Sequence, residues 1–98
     1  MEPDDQERLT AAVELLEKLG PSLGRPLVDT LKGSKHPNMK ELRPGTVRVL
    51  FAFDPRRTAI LLLAGDKSGH WKDWYVEAIP EADRLFDDHL ESLIDEEG

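Results

Sequence analysis

The stretch that decides the fold is MKELRPGTVRVLFAF, residues 39–53. Pro44–Gly45 sits between two short runs, and that pair suits the central positions of a tight turn. "MKELR" and "TVRVLFAF" on either side read as strands, and strands joined by so short a turn must run antiparallel. Side chains alternate along a strand. That puts Val47, Val49, Phe51 and Phe53 on one face, and Arg48, Leu50 and Ala52 on the other. The aromatic face belongs against helices. Arg48 then falls on the opposite, more open face near the turn, with Arg43 just across it.

The pattern continues outward. "DPRR" (residues 54–57) is a second turn, with Pro55 where a turn wants it. "TAILLLAGD" (residues 58–66) is a third strand; being apolar on both faces, it is expected to be the central, covered one. Ahead of the hairpin, residues 4–19 read as an acidic helix. Asp4 and Glu7 form a capping-box pattern, Leu9, Val13, Leu16 and Leu19 keep the helical period, and Gly20–Pro21 stops it. "GRPLVDTLKGS" reads as a short turn or helix, and "KHPN" as a loop. After Gly65 a polar loop runs through "GDKSGHWKDWYVEAIP", with a helical turn from about Asp73. A last helix is expected over about 80–94, starting near Pro80, with Ala82, Leu85, Phe86, His89 and Leu93 at helical spacing. The expected architecture is therefore one α+β domain spanning residues 1–98: a three-stranded antiparallel meander over about 39–64, with helices packed on one face.

Composition narrows the function. The chain of 98 residues allows one modest core, and a charged fraction of 34% beside 39% hydrophobic residues is that of a globular domain. No run is long and apolar enough to predict a membrane span. The opening "MEPDDQERL" does not read as a secretory signal. Without cysteine there is no disulfide framework or thiolate chemistry, and His36, His70 and His89 lack metal-ligand spacing. No phosphate-binding glycine loop is present, and Ser34 and Ser68 lack a hydrolase relay. No metal and no cofactor are expected.

The net charge of −7 is unevenly spread. Residues 1–19 carry −4 and 77–98 carry −8, whereas 20–76 hold ten bases against five acids. Solvated helix faces around an ordinary sheet would produce this; so would a basic working surface on the sheet. Antiparallel order returns Lys67, at the end of the third strand, to the edge that carries Arg48 and Arg43. Like charges crowd unfavourably, and a phosphate would relieve them: arginine binds its oxygens bidentately and lysine adds a point charge. The plain alternative pairs Arg43 with Asp66 or Glu41 and lets Arg48 reach to solvent. "HWKDWY" follows, bringing His70, Trp71, Trp74 and Tyr75 near the cations. Such rings suit base stacking, or they are packing, which is the better reading for Trp74. His89 reads as a packed histidine.

Over roughly residues 9–93, "LKGSKHPNMKELR", "RVLFAFDPRR", "LLLAGDKSG" and "YVEAIPEAD" together resemble the HigB-like branch of the RelE/ParE toxins of type II toxin–antitoxin systems. The resemblance implies a small antiparallel sheet with helices on one face and an open face that binds mRNA on the ribosome. It implies metal-independent endoribonuclease activity that inhibits translation in the bacterial cytoplasm, and a helix-turn-helix antitoxin as partner. It makes Arg48 a phosphate-binding catalytic residue, Lys67 the counterpart of a catalytic Arg or Lys, and Tyr75 a ring that stacks on or orients a nucleotide. Arg43 joins Arg48 in holding the phosphate, and Lys40 matches a further basic position. Lys35, His70 and Trp71 complete the expected RNA-binding set. Family members begin with a further strand and helix ahead of the counterpart of residues 4–19, and neither is visible here. Their absence leaves a sheet edge open to dimerisation. Two other readings fit the resemblance: a ParE-like gyrase-binding toxin, which generally lacks the Arg/Arg/Lys/Tyr set, and a shortened, inactive interaction module.

Overall fold

A computed structural model describes residues 3–66 and 71–97, except the side chains of Pro3, Asp5, Trp71, Lys72, Glu96 and Glu97. The order is α1 (Pro3–Leu19), a single 3-10 turn (Gly20–Ser22), β1 (Val28–Thr30), β2 (Lys40–Leu42), β3 (Val47–Phe53), β4 (Ala59–Asp66) and α2 (Trp71–Glu97). The strands form one antiparallel sheet in the order β1-β2-β3-β4. The α+β class and the antiparallel sheet are as expected. Helix α1 ends where Gly20 takes φ +55°, a conformation that costs glycine no Cβ clash. Asp4 lies within the helix and is not its cap.

Four expectations are corrected. First, "GRPLVDTLKGS" contains no helix: Val28–Thr30 is a fourth strand, paired Val28 to Leu42 and Thr30 to Lys40. Cross-strand pairing and burial of Val28 override the local turn signals. Second, the strand after "DPRR" is at the sheet edge, and β3 is the covered one, with every residue from Val47 to Ala52 buried. Third, α2 starts at Trp71 and carries Pro80 in its interior. Proline removes one backbone hydrogen bond and crowds the preceding turn; packing of Trp74, Tyr75, Ala78, Ile79, Ala82 and Phe86 on the sheet holds the helix through it.

The fourth correction concerns layering. The two helices do not share a face. Ala12 and Leu16 of α1 pack with Val28, Leu42, Val47, Val49 and Phe51. Ala78, Ala82 and Phe86 of α2 pack with Met39, Leu50 and Ala52. The odd and even residues of β3 therefore serve two cores, one per helix. Both faces are apolar enough to need cover, so the sheet is sandwiched. An open sheet face opposite the helices, where Arg48 was expected, does not exist: α2 lies over that side.

Candidate active site

Arg48 is on the α2 side of β3 and only 6% exposed. A buried guanidinium needs partners, and the hairpin turn supplies them. Nη1 donates to the Gly45 carbonyl at 2.7 Å and the Val47 carbonyl at 2.8 Å. Nε lies 3.9 Å from Glu41 Oε1, an ion pair looser than a hydrogen bond. Among the described residues, Nη2 makes no hydrogen bond, and no buried side-chain nitrogen or oxygen lacks a partner. Nη2 therefore reaches the surface. Burial, and secondarily the Arg43 charge, hold the Arg48 pKa below its ordinary value, with Glu41 opposing them. The side chain stays charged and is held in one orientation by the two carbonyls.

The surface it reaches is a groove of about 400 Å³. Arg25, Lys32, Arg43 and Arg48 bring positive charge to it, Asp29 and Glu41 bring negative charge, and Tyr75 and Ile79 of α2 form one wall. The register explains the row of acids: Asp29 pairs with Glu41 across β1–β2, and Glu41 with Leu50 across β2–β3. The Tyr75 hydroxyl donates to Glu41 Oε1, so one carboxylate meets both the ring and Arg48 Nε. Arg43 Nη1 lies 3.8 Å from Asp29 Oδ2, and Arg25 Nε donates to Asp29 Oδ1 at 3.1 Å. The Arg25 hydrogen bond is the main cause that lowers the Asp29 pKa, helped by the Thr30 N–H and the Arg43 charge against a burial penalty. Asp29 is thus an anion that spaces and partly neutralises two arginines.

Of the expected site residues, Arg48, Arg43 and Tyr75 do meet in one groove. Lys40 does not: its register partner is Phe51, on the α1 side of the sheet. Lys35 does not either, because its Nζ pairs with Asp87 well along α2. There Asp87 also meets His36 Nε2 at 2.8 Å, and Asp83 accepts from Ser34 Oγ and the Lys35 N–H. The "GSKHPN" loop is thereby fastened to the helix. Lys67 and His70 lie outside the described residues, as does the Trp71 side chain. The register does bring the end of β4 beside the start of β3, with Gly65 opposite Arg48. Trp74 is a packing residue: its indole lies over Gly65, in the space a Cβ there would take. It meets Tyr75 edge to face with centroids 5.0 Å apart. His89 is packed as well, against Phe86, with Nε2 3.0 Å from Asp54 Oδ2.

Sequence reasoning missed Arg25 and Asp29, which lie on or beside a strand it did not identify. It met Glu41 only as an alternative partner for Arg43, whereas Glu41 engages Arg48 and Tyr75. Alternation from Leu42, a core residue on the α1 side, would have set Glu41 on the arginine side. No group of three or more His, Cys, Asp or Glu residues suited to hold a metal occurs among the described residues.

Comparison with known proteins agrees with the motif reading. The family model of phage-derived Gp49-like proteins matches residues 1–87. Candidate toxin HigB2 of Mycobacterium tuberculosis is 53% identical over 100 residues, covering 97% of this chain and 50% of that protein. Candidate toxin HigB3 of the same organism is 54% identical over 91 residues, covering 91% of this chain and 80% of that protein. The chain thus spans about half the length of one curated relative and about four fifths of the other. No solved structure matches.

Proposed function

We propose, for a chain that belongs to the Gp49-like family and to the HigB-like branch of the RelE/ParE toxins, that it is the toxin of a type II toxin–antitoxin pair and cuts mRNA on the ribosome. The observation that carries this reading is the half-satisfied, oriented Arg48 guanidinium opening on a groove shared with Arg43 and Tyr75. A groove of that charge and wall suits a phosphodiester with a base beside it.

The chemistry that fits is attack of a ribose 2′-oxygen on the adjacent phosphorus. The O2′–P bond forms and the P–O5′ bond breaks, leaving a 2′,3′-cyclic phosphate and a 5′-hydroxyl. A base takes the 2′ proton and an acid returns one to O5′. Arg48 and Arg43 stabilise the crowded, doubly charged phosphorane, where fixed donors act most strongly. Tyr75 lies where its ring can orient the nucleotide; Lys67, His70 or Tyr75 handle the protons. No step requires a metal ion. A helix-turn-helix antitoxin in the same bacterial cytoplasm would neutralise the activity.

The test is expression in bacteria with mapping of mRNA 5′ ends, alongside the Arg48→Ala variant. Wild type is expected to give cuts phased to codons that persist with ribosomes in chelator. Arg48→Ala should lower cleavage by about 100-fold or more, the usual cost of one oxyanion-stabilising donor. Growth arrest with DNA damage and intact mRNA would overturn the nuclease reading in favour of gyrase poisoning.

A further inference from the structure

Glu41 lines the groove in contact with both Arg48 and Tyr75. Its side chain is 12% exposed, and a carboxylate so enclosed needs a counter-charge and hydrogen-bond donors. Pairing with Leu50 puts it on the α2 side of the sheet, diagonal to Arg48. Arg48 Nε, 3.9 Å from Oε1, supplies charge without a hydrogen bond. The same oxygen accepts from the Tyr75 hydroxyl on α2. One carboxylate oxygen thus faces the guanidinium that would hold a phosphate and a hydroxyl on the groove wall. On the nuclease reading, on which this rests, we infer that Tyr75 and Glu41 form a proton relay: Tyr75 takes the ribose 2′ proton and hands its own to Glu41.

A phenol alone is a poor base, since it keeps its proton up to about pH 10. A carboxylate bonded to its hydroxyl removes that obstacle, as an adjacent base does for other weak hydroxyl groups. The protons balance. Tyr75 Oη gains the proton of O2′ as its phenolic proton passes to Glu41 Oε1. O2′ bonds to phosphorus, the P–O5′ bond breaks, and O5′ takes a proton from the separate general acid that cleavage requires. After product leaves, Glu41 returns its proton through Tyr75 to water. Substrate also prepares its own acceptor. A phosphate drawn to Arg48 competes for the charge on which Glu41 relies, and a carboxylate that loses its cation holds a proton better.

Asp29, the other acid of the groove, is less suited to the part. Arg25 Nε and the Thr30 N–H both donate to its Oδ1, and Arg43 Nη1 lies 3.8 Å from Oδ2. Positive groups beside both oxygens stabilise the ionised form, which suits a fixed anion and not a proton acceptor. Glu41 itself touches no substrate in this scheme. It positions the Tyr75 hydroxyl and receives its proton.

Single-turnover cleavage of mRNA on ribosomes by the full chain tests the relay. Glu41→Gln keeps an oxygen for the Tyr75 hydroxyl but cannot take its proton. It should lower the cleavage rate at saturation by about 100-fold, the usual share of a general base. The half-saturating concentration should not rise, because a negative charge beside the phosphate site has been removed. A merely structural Glu41 would do the reverse, weakening binding while the saturated rate holds, and that result overturns the inference. Tyr75→Phe, which keeps the ring, should lose as much as Glu41→Gln. The double variant should lose no more than either single, because the pair acts as a unit; a multiplied loss overturns the relay. Thermal melts check that each variant folds. If Glu41→Gln does not, Tyr75→Phe decides, and cleavage at the wild-type rate overturns the relay. Indifferent variants beside an active wild type overturn the relay alone, whereas a wild type that cuts no mRNA overturns the nuclease reading and the relay with it.

Discussion

Asp54 illustrates how one side chain fixes a turn and ties it to a distant helix. Its Oδ1 accepts the Arg56 and Thr58 N–H groups at 2.9 and 3.0 Å, while Oδ2 meets His89 Nε2 at 3.0 Å. Burial alone would raise its pKa, but the His89 contact and the two backbone donors outweigh that and hold it below the ordinary carboxylate value. A depressed carboxylate contributes stability that is fully present above its unfolded pKa and is lost as pH falls through the folded value. Replacing Asp54 by Ala should cost roughly 1–3 kcal/mol near neutral pH, because two N–H groups and a histidine lose their acceptor. In urea titrations from pH 7 down to pH 2, the gap between wild type and variant should close below about pH 4; a constant gap would refute the assignment. Asp54 was legible in the sequence as the start of a turn. Its contact with His89 joins residues 35 positions apart, which no local pattern encodes. Arg48 is the same case: alternation gave its face, but its hydrogen bonds to Gly45 and Val47 depend on how the turn folds back.

At the scale of elements, the beginning of α2 matters most, since Tyr75 reaches the groove only if the helix already exists there. Proline at position 80 reads as a boundary when local propensity alone is weighed. It is overridden because Trp74, Tyr75 and Ala78 bury apolar surface before it. Gly65 makes room for this: the indole of Trp74 occupies the space a Cβ would take. Gly65→Ala should therefore displace Trp74 and the first turns of α2, costing roughly 1–3 kcal/mol as other overpacking changes do. Because Tyr75 moves too, the RNA cleavage proposed above should fall further than the loss of folded protein explains. Comparing cleavage per folded molecule with the melting curve checks this; an unshifted melt would place Trp74 elsewhere. The helix boundary was misread for a physical reason: the favourable contacts come from the sheet residues beneath the helix, such as Met39, Leu50 and Ala52, far along the chain.

For the molecule as a whole, β3 is shared by two cores. Phe51 is fully buried on the α1 side, edge to face with Phe53 at 5.6 Å; Leu50 is fully buried on the α2 side. Phe51→Ala should cost about 3–5 kcal/mol, a large part of the roughly 5–15 kcal/mol available to a domain of this kind. Trp74 packs in the other core, so its fluorescence reports that core. It should still be lost in step with the far-ultraviolet circular dichroism, because neither layer keeps its sheet without β3; two separated transitions would contradict this. The sequence by itself determined the hairpin, the antiparallel strand that follows it, the presence of α1, the family, and Arg43, Arg48 and Tyr75 as neighbours. Those features follow from turn chemistry, from side-chain periodicity and from motifs contiguous in the chain. Only the tertiary structure decided which strand is central, that Val28–Thr30 is a strand, that the helices cover opposite faces, and that Glu41 and Asp29 stand among the arginines. Each depends on which apolar surface finds which cover and which buried charge finds which partner. Such choices are settled by packing between segments distant in sequence, not by the propensities within any one of them.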